Sequence, residues 1–290
     1  MKITNKLGLP SPFVSMAQSD YIYEHNEYRV TSLLKGVRET ILERRHADEI
    51  ERDVYDMVWM LFGSAVHSIL EKYQECENEI KEERIKIKIG KYILSGQFDL
   101  YNDKTGVVTD YKTASVWKII YGDFADWRRQ ILIYAYMLRQ IGFDARAGQV
   151  VAFLKDHSKR DAKIKSNYPQ YPVEVVRFNF TDDDFAECEQ WLVNKFAEIE
   201  AAESLPDLAL PLCTPDERYN SGTKYAIMKR GRKTALRVLD SEEEAEQWIM
   251  EGSGDWIEIR PGEDKKCMDY CAVNQFCDYW RNIAERRTRE

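Results

Sequence analysis

The sequence predicts a mixed α/β fold with a C-terminal subdomain that carries cysteines, and three observations support that reading. First, "RIKIKIG" alternates Ile85, Ile87 and Ile89 with lysines, and "KYILSGQFDLY" and "GVVTDYKT" follow across short glycine-containing turns, the signature of an antiparallel meander. Second, a helical run over 126–141, "DWRRQILIYAYMLRQI", leads through "GFDARAG" into the apolar strand "QVVAFLKD", a crossover suited to an α/β sheet. Third, past Leu205 the composition changes to "LPDLALPLCTP", and the chain closes on a crowd of cysteines. The 290 residues, 44% apolar and 12% aromatic, suffice for a real core and are read as a domain over 1–204 and a subdomain over 205–290.

The remaining elements follow in order. Residues 30–47 have helical spacing after a Thr31 or Ser32 cap. A second helix from Asp53 repeats Val58, Leu61, Phe62, Val66, Ile69, Leu70 and Tyr73 with helical period. After the crossover come the strand "VEVVRFNF" and the long helix "TDDDFAECEQWLVNKFAEIEAAES". The subdomain reads as a hairpin over "KYAIMKRGRKTALRVLD", a capped helix "SEEEAEQWIM" and a short strand "DWIEIRPG".

Charge and composition exclude several classes. A net charge of −8 and a pI near 5.3 argue against coating nucleic acid by bulk charge, so any such contact is local. There is no apolar run of about 18 residues, and the start "MKITNKLGLPSPFVSMAQSD" lacks the pattern of a secretory leader, so the expectation is a cytoplasmic protein without membrane contact. Nothing matches a G-x4-G-K-[ST] loop, so the chain is not expected to unwind duplex by itself.

The charged residues inside the meander need an explanation, because an unpaired buried charge costs several kcal/mol. Residues two apart in a strand share a face, so Asp110 and Lys112 point the same way, with Asp99 across from them on the preceding strand. Two carboxylates that close repel unless a cation lies between them, and an oxygen-rich site of this kind suits Mg²⁺ or Mn²⁺. Asp-x-Lys by itself is a weak signal: it recurs at Asp161 and Asp264, and a surface ion pair accounts for it equally well.

Two neighbouring patterns add weight. In "GSAVH", Gly63 and His67 lie one helical turn apart and Glu71 continues their face; in "QILIY", Gln130 and Tyr134 are spaced i, i+4. Alone, the histidine reads as a core residue and the Gln–Tyr pair as helix packing. Together, Gly63-x3-His67, Gly96-x2-Asp99, Asp110-Tyr-Lys112 and Gln130-x3-Tyr134 resemble, in order and spacing, the RecB-like branch of the PD-(D/E)xK nucleases over roughly residues 30–200.

The resemblance implies a restriction-endonuclease-like core, a mixed central sheet flanked by helices. It implies that His67, Asp99, Asp110 and the main-chain carbonyl of Tyr111 hold metal, that Lys112 is the catalytic lysine, and that Gln130 and Tyr134 line the DNA path. Asp99 and Asp110 count with Lys112 as catalytic residues. One departure is that "SGQFD" carries Gly96 and Phe98 where the family name has proline before the acid.

Cys267-x3-Cys271-x5-Cys277 supplies three soft ligands, and Cys213 is the favoured fourth, with Cys76 as its rival. Cys76 and Cys188 fall within predicted helices, where a cysteine behaves as a small hydrophobe. The set is similar to the C-terminal cysteines of iron-sulfur nucleases of the AddB and CRISPR-associated type, which implies a structural [4Fe-4S] cluster, with Zn²⁺ as the alternative. It departs from them in its x3 spacing and in having the distant cysteine after the nuclease core. Between these ligands the hairpin gathers Lys229, Arg230, Arg232 and Lys233, read as a solvated turn or as a clamp on DNA phosphate.

The expectation is therefore a metal-dependent DNA exonuclease in recombination, repair or processing, within a bacterial or phage-infected cell. The alternatives are a structure-specific or nicking endonuclease and a non-catalytic DNA-binding partner. A helicase or a single-strand annealing protein is the expected companion.

Overall fold

The computed structural model describes residues 1–18, 24–74 and 76–287, so Ser19 and Asp20 of the N-terminal run and Glu75 of the second predicted helix lie outside the described residues. The chain divides into two compact units, Met1–Leu205 and Pro206–Glu290.

The first unit is built on a five-stranded mixed sheet in the order Val173–Asn179, Ala147–Leu154, Val107–Ala114, Leu100–Asn102, Glu79–Lys81. Its one parallel pair joins Val107–Ala114 to Ala147–Leu154, with Asp110 opposite Val150. A parallel pair needs a crossover, and the helix Ala125–Gln140 provides it. Ile131, Ile133, Ala135 and Met137 of that helix are fully buried, as expected of a helix enclosed on several sides. The long helix Asp182–Glu203 opens with a capping box between Thr181 and Asp184 and buries Phe185, Cys188, Leu192, Phe196, Ile199 and Ala202 at helical spacing.

Three expectations are corrected. Residues 30–47 form two helices, Val30–Leu33 and Val37–Arg45, and neither Thr31 nor Ser32 caps them. The break falls at Gly36, whose backbone is extended (φ −61°, ψ 147°), because glycine is the weakest helix former after proline. The second helix begins as a 3₁₀ turn, Val54–Met57, with Asp53 accepting from the Tyr55 N–H, and continues as Val58–Leu70. It therefore ends before Tyr73 and Cys76, and Cys76 is an exposed residue outside any helix.

The meander is divided between two sheets. Arg84–Ile89 and Tyr92–Gln97 pair antiparallel and join Glu27–Arg29 in a separate three-stranded sheet, whereas Leu100–Asn102 pairs with Val107–Ala114. The chain leaves one ladder and enters the other at Phe98–Asp99. Phe98 turns its ring into the interior, edge-on to Tyr101 at 6.5 Å, and this buried anchor fixes the corner that carries Asp99.

The second unit holds an antiparallel sheet in the order Arg237–Leu239, Lys224–Met228, Trp256–Arg260. The helix Glu242–Met250 packs on it through Ala245 against Ile227 and Leu239. The helices Lys265–Asp269 and Asp278–Arg287 follow. Among the described residues no helix is long and apolar enough to cross a membrane.

Candidate active site

The antiparallel register pairs Leu100 with Thr109, so extending the ladder by one residue sets Asp99 opposite Asp110. Asp99 Oδ2 accepts from the Tyr111 N–H at 2.5 Å, tying the corner to the strand that carries the other acid. Tyr111 thus touches Asp99 through its N–H, and its ring meets the His67 imidazole edge-on at 6.2 Å.

His67 projects from the Val58–Leu70 helix, with Nδ1 3.2 Å from Asp99 Oδ1 and 4.0 Å from Glu82 Oε1. The hydrogen bond to Asp99 raises the imidazole above its usual range, against the opposing effect of burial. His67, Glu82 and Asp99 each offer a donor atom within 4.8 Å of the others, a spacing from which small side-chain movements give the distances of a divalent ion's coordination sphere.

Glu82 was not anticipated from sequence. It sits in the charge-rich "KEER" just ahead of the alternating strand, and the fold makes it a half-buried neighbour of the acids. Its backbone is left-handed (φ 50°), unusual for a residue with a side chain, and its N–H donates to the Asp99 carbonyl at 3.1 Å. Gln97 Nε2 donates to Glu82 Oε2 at 2.8 Å and holds the carboxylate in place. Burial raises the Glu82 carboxyl above its usual range. Glu71, which shares the predicted histidine face, is exposed, and its main-chain carbonyl accepts from Lys81 Nζ at 2.9 Å.

Asp110 is 4% exposed. Its Oδ1 accepts from Gln130 Nε2 at 3.2 Å, while Oδ2 lies 2.8 Å from Lys112 Nζ in an ion pair whose angles do not make a directed hydrogen bond. Burial pushes this carboxyl up, the Lys112 charge opposes the shift and Asp99 reinforces it. A buried carboxylate facing a second acid, with one lysine to balance the two, is donor chemistry that a divalent cation satisfies.

Gln130 and Tyr134 were expected along the DNA path. The structure places both side chains in the interior, 8% and 4% exposed. Gln130 Oε1 accepts from Lys112 Nζ at 3.0 Å, and its Nε2 also lies 3.3 Å from the Tyr134 hydroxyl. Gln130 thus touches both the acid and the lysine, and Tyr134 reaches them through Gln130. Burial leaves the Tyr134 phenol protonated, far above its usual range.

With this geometry in place, the sequence match is informative: the PD-(D/E)XK nuclease superfamily matches residues 77–278. The chain belongs to the PD-(D/E)XK nuclease superfamily. The match spans Glu82, Asp99, Asp110 and Lys112; His67 lies before it. No curated protein sequence matches this nuclease. Similar solved structures include SSO0001, at 17% identity and TM-score 0.44, over 61% of this chain and 79% of that one. LHK-Exo in complex with dAMP is 15% identical with TM-score 0.34, over 59% and 91% of the two chains. A phage-related exonuclease from Haemophilus somnus 129PT is 11% identical with TM-score 0.35, over 62% and 98%.

In the nuclease's second unit, the cysteine segments are tied together by Asp264, which accepts from Arg218 Nε at 3.0 Å, Asn220 Nδ2 at 2.6 Å and the Tyr279 hydroxyl at 2.7 Å. Arg218 also donates to the Cys213 carbonyl, and Asn274 Nδ2 donates to the Cys267 carbonyl at 2.9 Å. The Cys267 thiol is pushed up to about 12 by burial first, then by Asp264 and by the thiols of Cys213 and Cys277. Cys277 is buried, and Cys213, Cys267 and Cys271 are partly buried. Cys188 is a buried residue of the Asp182–Glu203 helix, its thiol also raised to about 12 by burial, which fits the hydrophobe reading.

The nuclease's basic turn places Lys229, Arg230, Arg232 and Lys233 in solvent between Lys224–Met228 and Arg237–Leu239. The Arg230 N–H donates to Asp255 Oδ2 at 2.6 Å, pinning the turn through its backbone and leaving the guanidinium exposed.

Proposed function

We propose that this chain is a metal-dependent DNA exonuclease of the RecB-like branch, acting in DNA recombination, repair or processing. The observation that carries the reading is the buried Asp110, facing Asp99 and ion-paired with Lys112. His67 ahead of the acids and Gln130-x3-Tyr134 after them favour the RecB-like branch.

His67, Glu82, Asp99 and Asp110 would hold Mg²⁺ or Mn²⁺, with the Tyr111 carbonyl as a further donor. Such an ion supplies Lewis acidity and a water acidic enough to attack a phosphodiester. The chain's own residues do the rest. Lys112, held by Asp110 and Gln130, presents an ammonium that stabilises charge developing on the phosphate or orients the attacking water. Lys229, Arg230, Arg232 and Lys233 would contact phosphate along the bound DNA.

Cys213, Cys267, Cys271 and Cys277 would hold a structural [4Fe-4S] cluster, with Zn²⁺ as the alternative. Three C-terminal thiols and one about fifty residues earlier close a long loop, and metal binding offsets its closure entropy. Brown absorption with iron and sulfide in an anaerobic preparation is the expected result. A helicase or a single-strand annealing protein would work beside the enzyme.

The deciding experiment digests 5′- and 3′-labelled single and double strands with Mg²⁺ or Mn²⁺, comparing the natural protein with Lys112→Ala. Stepwise release of nucleotides from one end, lost in the variant, is expected. Equal cleavage by both proteins overturns the mechanism, and internal nicks alone overturn the exonuclease reading.

A further inference from the structure

The helix that carries His67 also carries large apolar side chains that stay in solvent. Trp59 is 62% exposed and Phe62 44% exposed, their rings edge-to-face at 6.4 Å. Leu61 is the one buried residue of this helix. Exposed aromatic groups of this size on one surface mark a place that something covers.

Three features connect this face to the acids. At 1.5 Å per residue, Trp59 lies about 12 Å along the helix axis from His67, roughly three stacked nucleotides at about 3.4 Å each. Between them, the Gly63 Cβ position is 3.5 Å from Thr113 Oγ1, so the helix crosses the strand of Asp110 and Lys112 at that point. At that strand's far end, the Lys155 N–H donates to the Ala114 carbonyl at 3.0 Å, and Lys155 Nζ stands 4.1 Å from the centre of the Trp59 ring. With Lys155 against it the indole is still 62% exposed, which leaves ring surface for a flat base and puts positive charge beside it.

A second aromatic pair starts from the same strand end. Trp117 and Tyr121, 54% and 76% exposed, stack at 5.8 Å on the helix Val116–Tyr121. That helix is pinned by Asp156, next to Lys155, which accepts from Ser115 Oγ at 2.6 Å and the Val116 N–H at 2.8 Å.

We propose that Trp59 and Phe62, with Lys155, form a stacking platform for unpaired bases of the DNA strand that enters the active site. The inference rests on the nuclease reading and sharpens its substrate to DNA that is single-stranded beside the scissile bond. Every base has a flat face, so such a platform grips a strand without reading its sequence, and Lys155 draws in the backbone. Bases stacked inside a duplex cannot use it.

The test measures binding of a fluorescein-labelled oligothymidylate, an abasic oligomer of equal charge and a duplex of equal length to the full chain, by anisotropy in EDTA. Trp59→Ala is expected to weaken oligothymidylate binding about tenfold, the size of one base–aromatic stack, and to leave duplex binding unchanged. Trp59→Phe keeps a ring and recovers most of the affinity, and the abasic oligomer binds the natural protein no better than oligothymidylate binds Trp59→Ala. Unchanged oligothymidylate affinity in Trp59→Ala, or equal binding of the abasic oligomer, overturns the proposal. So does conversion of a sedimenting dimer to a monomer by Trp59→Ala with single-strand affinity intact, which would make this face a contact between copies. Because EDTA removes the metal, these results are separate from the digestion assay: loss of the nuclease reading would show there and not here.

Discussion

Gln130 receives a hydrogen bond from Lys112 Nζ at 3.0 Å, while its amide nitrogen donates to Asp110 at 3.2 Å. One buried amide from the crossover helix thus orients both charged groups of the strand. Groups that orient metal-binding or reacting residues typically contribute 10- to 100-fold to function. Gln130→Leu is expected to lower single-turnover cleavage by about 10- to 100-fold and to leave DNA affinity in EDTA unchanged. The opposite split, lost affinity with intact turnover, would return Gln130 to the DNA path.

Glu82 and Glu71 make a second contrast. Only Glu82 brings a carboxylate to His67 and Asp99. Glu82→Gln should weaken Mn²⁺ binding by about tenfold in calorimetric titration, whereas Glu71→Gln should not change it. His67→Ala should cost more with Mn²⁺ than with Mg²⁺, because imidazole is the softer donor.

Gly96 and Gly63 share a place in the sequence pattern but not in the packing. A Cβ on Gly96 would come 2.8 Å from Tyr134 Cε1 and 2.9 Å from Val30 Cγ2, both in buried side chains. Gly96→Ala is expected to destabilise the first unit by about 1–3 kcal/mol. A Cβ on Gly63 meets only Thr113 Oγ1 at an ordinary 3.5 Å, and alanine in a helix interior is favoured over glycine by about 1 kcal/mol. Gly63→Ala should therefore be neutral or stabilising in urea unfolding.

Asp264 should matter for stability in a pH-dependent way. Burial raises its carboxyl, but hydrogen bonds from Asn220, Tyr279 and Arg218 outweigh that and hold it below the usual range. Its contribution is full above the unfolded carboxyl value of about 3.9 and is lost as pH falls through the lower folded value. Asp264→Asn leaves the partly buried Arg218 without its carboxylate and should destabilise the second unit by about 3 kcal/mol at neutral pH. The gap from the natural protein should shrink in acid. A gap that does not change with pH would mean that the carboxylate's charge is not what matters.

Much of the chain was readable before folding because its signals are local. Alternation in "RIKIKI" and "QVVAFL", helical period in 126–141 and the acidic start of Asp182–Glu203 each fix their own element. The breaks were harder to read. The passage of the meander from one sheet to another at Phe98–Asp99 depends on where the Phe98 ring finds room in the interior. Period-2 spacing placed Asp110 and Lys112 on one face, yet it assigned Asp99 to a strand when it stands at a corner between two.

The sequence by itself determined the element types, the order of His67, Asp99, Asp110 and Lys112, and the nuclease family they point to, because these depend on spacing within short segments. Only the tertiary structure decided that Glu82 joins the acids, that Gln130 and Tyr134 turn inward, and that Trp59 faces solvent beside Lys155. Each of those outcomes depends on which distant segment packs against which, and no local period records that.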